Sequence, residues 1–474
     1  MIAAEQKFDW PLCYEAENFL LERLDPFLAR NTFAKRLSDR MLTGTATLLL
    51  DWVDHLVLPP SDEPRLKACG FVPDPLGDPP GAERALWHPE AMLPRILLKS
   101  SAGVPPASSN APGPSGTPPP PVVAIHVDSV TDFMAAHGIA QEIEGEPCSR
   151  FRRVVASEEN GTRLDVIERR GYRGHVTASR HPGETLVLLH ARELWKTRRR
   201  TFDSDAEGWR QSHALLDQVA GLVGADLACH IFFGEERAYW QRRNRAARVQ
   251  KSRQDALGLG WANHDHHTFR CSRRHFTDLM RALEKIGFER RERFYAGAQA
   301  GWGAQILEQP VEGIVAFCDV DLEPHETEID FSRQPLPPSP KLGTIGLWVG
   351  LHGESFLDAG MHHLECRFDY ELLCDQLAAL EVKTMNPFSD FPFLKQAFTE
   401  GERWPVRPAR AEALRNAGLI DELQCHRFTT EGAIGSHLEN LQRKGGFKGF
   451  NQKSVSVIIT ATDPRLQAPP GVGP

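Results

Sequence analysis

Apolar and polar positions along the chain fall into stretches of two different periods. Residues 12–42 carry apolar side chains at three- and four-residue intervals, the spacing of a helix with one buried face. Leu48–Leu58 (LLLDWVDHLVL) is a nearly continuous apolar run of strand length, and shorter apolar segments follow around Trp87 and Ile96. Val122–Ile139 opens as a strand and continues as a helix. Arg152–Arg169 predicts a hairpin turning at Glu159-Asn160-Gly161, because Asn and Gly tolerate the positive φ of a tight turn. Helical spacing returns over Ala206–Val223 and Glu235–Gln254.

Beyond Trp261 the pattern becomes repetitive. A strand (ANHDHHTFRCS), a helix over Arg273–Gly287 and three strands (ERRERFYAG, GWGAQILEQ, GIVAFCDVDL) follow one another, each boundary marked by Gly or Pro. A second copy starts at Met361 (MHHLECRFD), passes through a helix over Tyr370–Leu380, and ends in strands expected at His426–Thr429 and Ile434–Gln442. The reading is an α+β chain of repeated βαβββ modules forming curved mixed sheets, with extra N-terminal and bridging helices. Its expected parts are an N-terminal helical segment with an abbreviated module (1–100), a Pro/Ser/Gly-rich linker or insertion (101–121) and a second module (122–204). Bridging helices (205–260), a C-terminal pair of modules (261–462) and a flexible tail (463–474) complete the expectation.

Composition narrows the classes. With 474 residues, 41% hydrophobic and 25% charged, the chain can bury large cores. No apolar run reaches the ~20 residues a membrane span needs, since Asp51, Asp54 and His55 interrupt the best candidate. The first ten residues lack the apolar segment of a secretory signal, which makes a cytoplasmic location the expectation. Nine cysteines without a CxxC pair suit reduced, buried thiols. The net charge of −8 disfavours nucleic acid as a partner, and the basic stretch Arg237–Arg253 reads as a solvated or internally paired helix face.

The chemistry lies in the two opening strands. Side chains alternate along a strand, so His266, Thr268 and Arg270 share one face, and His363, Glu365 and Arg367 share the matching face of the second copy. Two imidazoles can hold a divalent transition metal, and a single carboxylate would complete the set while leaving positions open. Glu439 is preferred for that part. Glu308 and Glu365 compete, but a His-x-Glu pair on one strand would crowd the ion, and Glu365 reads more simply as a salt-bridge partner of Arg270 or Arg367. His264 shares a face with His266, whereas a one-residue slip would bring in His267 or His362. His55 also follows an Asp, yet lacks ligand partners nearby and reads as structural. Gly301-Trp302-Gly303 lacks the following helix of a phosphate loop, and Ser355 lacks a nucleophile-elbow context.

These residues resemble the vicinal oxygen chelate superfamily, specifically 4-hydroxyphenylpyruvate dioxygenases and hydroxymandelate synthases. Asp265-His266 is similar to their Asp-His opening strand, and Ser355-Phe356-Leu357 through Gly360-Met361-His362-His363 to the segment that ends in Gly-x-Gln-His. Leu438–Gly445 (LENLQRKG) is similar to their closing Phe-Glu-x-x-Gln-Arg-x-Gly, and Val320–Pro324 to their Leu-Asn-Glu-Pro. The candidate ligands stand 97 and 76 residues apart, which suits the family's order. His362 stands where the family has Gln.

The resemblance covers roughly residues 262–460 and implies a glyoxalase/dioxygenase-like fold holding Fe(II), with Mn or Zn as alternatives, on His266, His363 and Glu439. It implies that Gly446–Ile459 closes over the substrate with Phe447 and Phe450 as a lid, and that Gln442 belongs to the site. The implied activity is oxidative decarboxylation of a 2-oxo acid by O2, coupled to hydroxylation. Arg270 and Arg367 bring in a second relative, the 2-oxoadipate dioxygenase/decarboxylases, because a guanidinium clamps a second carboxylate. An O2-independent isomerase or lyase of the superfamily and a non-catalytic small-molecule-binding protein stay as alternatives. The oligomeric state is left open, a homodimer included.

Overall fold

The computed structural model describes residues 10–100, 121–177, 182–451 and 463–465. The expected linker therefore lies almost wholly outside the described residues, as does most of the segment expected to close over the substrate.

Four modules follow in order. The first is β1 (Val53–Leu58), the helix Glu63–Ala68, β2 (Val72–Pro73), β3 (Arg84–Trp87) and β4 (Arg95–Leu98). The second is β5 (Val122–His126), the helix Val130–His137, β6 (Phe151–Glu159) and β7 (Thr162–Arg169). The third comprises β8 (His264–Arg270), the helix Phe276–Lys285, β9 (Glu289–Tyr295), β10 (Trp302–Gln309) and β11 (Ile314–Asp321). The last comprises β12 (His363–Arg367), the helix Tyr370–Ala378, β13 (Ser389–Phe391), β14 (Leu394–Phe398), β15 (Glu402–Trp404), two helices, and β16 (Ala433–Arg443).

Modules one and two form a sheet ordered β2-β3-β4-β1-β5-β7-β6, and modules three and four a sheet ordered β13-β14-β16-β12-β8-β11-β10-β9, with β15 beside β16. The two orders correspond. At each centre an antiparallel pair joins two modules, β1 with β5 and β8 with β12, and each of these strands runs parallel to the last strand of its own module. Both central pairs shift register beside an Asp-His step, at Asp54 and at Asp265. The architecture is α+β, with two open mixed sheets.

Packing follows the apolar faces. Helices Tyr14–Arg30 and Thr32–Thr45 lay Phe19, Phe27 and Met41 on the first sheet against Trp52, Ile96 and Ile125. The bridging helix Ala225–Arg242 lays Phe232, Phe233 and Trp240 on the second sheet near Phe269 and Leu307. The hairpin turns at Asn160 and Gly161, with φ of 48° and 66°.

Several expectations change. The helix expected over Glu235–Gln254 is two helices, Ala225–Arg242 and Arg245–Asp255, because Asn244 turns extended and its side chain accepts from Ala247 N at 2.8 Å, capping the second. His426–Thr429 is helical, inside Glu422–Glu431. Its start is a capping box in which Asp421 and Gln424 satisfy each other's backbone N–H, a signal stronger than the β-branched Thr pair. Asp463, expected in a flexible tail, is buried and accepts from Thr344 Oγ1 at 3.0 Å. Arg243 and Arg245 of the basic stretch donate to backbone carbonyls of Ala359 and Glu381, which ties this part of the stretch into the fold. All nine cysteines are free, and no described helix is long and apolar enough to cross a membrane.

Candidate metal centre

The site sits on one face of the second sheet, where three neighbouring strands carry polar side chains in register. His266 on β8 pairs across to Glu365 on β12, and Glu365 pairs in turn with Glu439 on β16. His363, two residues before Glu365, lies one step along the same face opposite Thr268. Strands are about 4.8 Å apart, so the row brings imidazole and carboxylate tips to one point.

His266, Glu365 and Glu439 present potential ligand atoms that all lie within 4.8 Å of one another. His266 Nε2 lies 2.9 Å from Glu365 Oε1, His363 Nε2 touches the same oxygen, and His363 Nε2 lies 3.7 Å from Glu439 Oε2. All four side chains are buried, Glu365 completely. Of the three residues expected as ligands, His266 and Glu439 fall in this group with Glu365 in place of His363, which reaches it through Glu365 and Glu439. The sequence reading that an His-x-Glu pair would crowd the site, with Glu365 bridged to Arg270 or Arg367, is corrected: Glu365 turns to the two histidines and to Thr268 Oγ1, which donates to it at 3.1 Å.

Supporting groups fix the tips. His266 donates from Nδ1 to Asp265 at 2.9 Å, which leaves Nε2 free to accept an ion. Arg443 grips Asp265 through two hydrogen bonds of 2.9 and 3.0 Å, and Gln396 donates to Glu439 at 3.0 Å. Burial alone would raise the Asp265 carboxyl, but Arg443 and His266 hold it far below its usual range. Burial lowers His266 and, with His437 and His266 nearby, lowers His363 further. Burial and the neighbouring Glu439 push Glu365 well up, and burial puts Glu439 at about 7. Neutral imidazoles beside two desolvated carboxylates are the donor set that a divalent cation relieves, so the residues fit a metal.

Around this cluster lies a cavity of about 60 Å³. Phe294, Trp302, Phe317, Phe388, Phe398 and Phe450 form its apolar wall, with the Phe450 ring 4.9 Å from that of His266, edge-on. Arg270 also enters it. Its Nε lies 3.6 Å from Asp319, and its Nε and Nη1 are buried without a hydrogen-bond partner among the described residues. Burial lowers Arg270 to about 10 and raises Asp319 to about 7.

Other expected site residues lie elsewhere. Arg367, where β12 ends, donates to Asp51 O at 2.8 Å and lines a separate chamber. Gln442 accepts from Tyr370 N at 3.2 Å, and Phe447 packs on Phe393. His264 and His267 point away from the cluster, His267 lying 3.3 Å from Arg237 on the bridging helix, and His362 Nδ1 meets Gly435 O at 3.0 Å. Glu308 pairs with Lys448 at 3.3 Å. Asp319, Gln396 and the aromatic wall were not singled out from sequence, although period-two alternation from His266 and Glu439 along their neighbouring strands points to them.

The first sheet holds a second group. Asp54, His55 and His175 offer atoms within 4.8 Å of one another, so His55 does have partners. Here Arg169 already supplies the cation, with bonds of 2.8 and 2.9 Å to Asp54 and Nη2 at 3.3 Å from His175 Nδ1.

No family model matches the chain, and no curated protein matches it. Among solved structures it is similar to a putative hydrolase from Shewanella frigidimarina NCIMB 400, at 13% identity over 46% of this chain and 95% of that one, TM-score 0.33. Methylmalonyl-CoA epimerase from Mycobacterium tuberculosis matches at 14% identity over 38% of this chain and 88% of that one, TM-score 0.21. A triple mutant of 4-hydroxymandelate synthase from Streptomyces coelicolor matches at 12% identity over 87% of this chain and 96% of that one, TM-score 0.23. Superpositions of this quality decide no chemistry.

Proposed function

We propose that the protein is a metal-dependent dioxygenase of the vicinal oxygen chelate type acting on a 2-oxo acid, with Fe(II) held by His266, His363 and Glu439. The supporting observation is the convergence of two neutral imidazoles and a carboxylate from three adjacent strands inside an aromatic-walled cavity. When bound, the iron supplies Lewis-acid polarisation of the 2-oxo acid and electrons for reducing dioxygen.

The chain's own residues do the rest. Asp265 and Arg443 fix the His266 tautomer and ring direction, and Gln396 fixes Glu439. The phenyl wall excludes water from the reacting carbons. Phe450, on the irregular segment after β16 and edge-on to His266, is the side chain whose movement would enlarge the cavity for a 2-oxo acid. Arg270, with unfilled donors in the same cavity, binds a second anionic group, which selects a 2-oxo dicarboxylate over a neutral aromatic ring. Loss of CO2 places one atom of O2 in the new carboxylate and the other in a hydroxyl group.

The position of Glu365 favours a second reading. If it is a fourth ligand, fewer positions stay open, and the site suits an O2-independent isomerase or lyase in which a glutamate carries the proton. Anaerobic Fe(II) loading followed by oxygen-electrode measurements with aromatic and dicarboxylic 2-oxo acids separates them. The first reading expects O2 uptake matched by CO2 release, strongest with a dicarboxylate. Absence of uptake with every acid, together with solvent deuterium entering a substrate carbon, replaces it by the second.

A further inference from the structure

A second and larger chamber, about 760 Å³, opens between the two sheets and the bridging helix Ala225–Arg242, and no described residue lines both it and the metal cavity. Its size falls in the range of small-molecule sites, roughly 300–1,000 Å³. Its wall is rich in cations. The carboxylates that face it are mostly spent: Asp54 on Arg169, Glu235 on Arg192, Glu308 on Lys448, and Glu312 on His230 at 3.0 Å.

Two guanidiniums are left over. Arg173 donates to the carbonyl of Pro310 at 2.6 Å, and Arg237 lies 3.3 Å from His267 Nε2; neither has a carboxylate partner among the described residues. Beside them stand His126 and His264, whose buried Nδ1 has no hydrogen-bond partner among the described residues. Burial lowers His126, so this imidazole adds no charge to the wall. Both side chains are half-buried in the chamber wall, where an anion can complete a guanidinium that no carboxylate pairs.

We propose that this chamber binds a small organic polyanion, one with at least two carboxylate or phosphate groups, held by Arg173 from the side of the first sheet and Arg237 from the bridging helix. Both groups match the planar fork of arginine. The site is independent of the metal cavity and of the reaction assigned to it.

Metal-loaded full-length protein titrated with citrate and with pyrophosphate at constant ionic strength, with acetate as the monovalent control, tests the proposal by calorimetry and thermal melting. A saturable rise in Tm with citrate alone identifies a polycarboxylate site, and with pyrophosphate alone a phosphate site. Stripping of the metal by a probe would lower Tm instead of raising it. Arg173→Gln and Arg237→Gln are each expected to weaken binding about tenfold or more while bound metal stays constant. Arg173→Lys and Arg237→Lys keep the charge and serve if the glutamine variants fold poorly, with an expected loss between wild type and glutamine. Absence of saturable binding of either probe in the millimolar range, or unchanged affinity in the arginine variants, overturns the proposal.

Discussion

The two sheets are built to one plan but carry different cargo. In the first, Asp54 precedes His55 and is gripped by Arg169 at the end of β7; in the second, Asp265 precedes His266 and is gripped by Arg443 at the end of β16. His55 and His266 each meet their Asp through Nδ1, at 2.6 and 2.9 Å. The difference lies opposite them. Across from His266 stands Glu365, flanked by Glu439, whereas across from His55 stands Ala124, flanked by an Asp165 that Arg163 already holds. His363 faces Thr268, while the matching place opposite Val57 is Val122. Val57, Ala85 and Leu97 then pack together where the second sheet keeps its cavity open. The Asp–His–Arg clasp thus belongs to both sheets, and the proposed metal chemistry depends on what the facing strands add.

The largest separation between the halves should come from the imidazoles. His363→Ala is expected to abolish stoichiometric divalent-metal binding, and His55→Ala to leave it unchanged, as read by equilibrium dialysis with metal analysis; equal losses would erase the distinction. The clasps should behave alike in folding. Arg443→Met strands a buried carboxylate, at about 3–5 kcal/mol by denaturant unfolding, and Arg169→Met a half-buried one, at a smaller cost of the same sign. Only Arg443→Met should also lower metal affinity, by about 10–100-fold, since it alone steadies a ligand's support. Leu97→Ala should cost about 2–5 kcal/mol with metal binding intact, because that side chain fills the first sheet's closed cavity.

The last contrast is a pH dependence, small over any single pH unit. Burial, then His55 and Arg169, lower His175 from 6.5 to about 2. Below pH 6.5 the unfolded chain takes up a proton that the folded one refuses, so this stabilisation is present above pH 6.5 and is lost as pH falls toward 2. His175→Asn should flatten the acid side of the stability profile by at most about 1.4 kcal/mol per pH unit, less for a ring that is partly exposed.

Much of this was legible in the sequence. Matching opening strands placed His266 and His363 on one face, and that alternation needs only a strand of ordinary twist. Glu365 was visible by the same rule and was set aside on a crowding argument; crowding fails because its register puts it directly between β8 and β16, where the carboxylate reaches sideways. Arg367 was lost where β12 ends beside the register shift at Asp265, a local irregularity that alternation does not foresee. The clasp around Asp54 was hidden because Arg169 is 115 residues away. Nothing local marks such a pairing.

Anomalous diffraction from crystals of the protein grown with Fe(II) or Mn(II) tests the central claim most directly. A single peak is expected at about 2.0–2.3 Å from His266 Nε2, His363 Nε2 and a Glu439 oxygen. A peak between Asp54, His55 and His175, or an ion that binds without engaging His363, would contradict it.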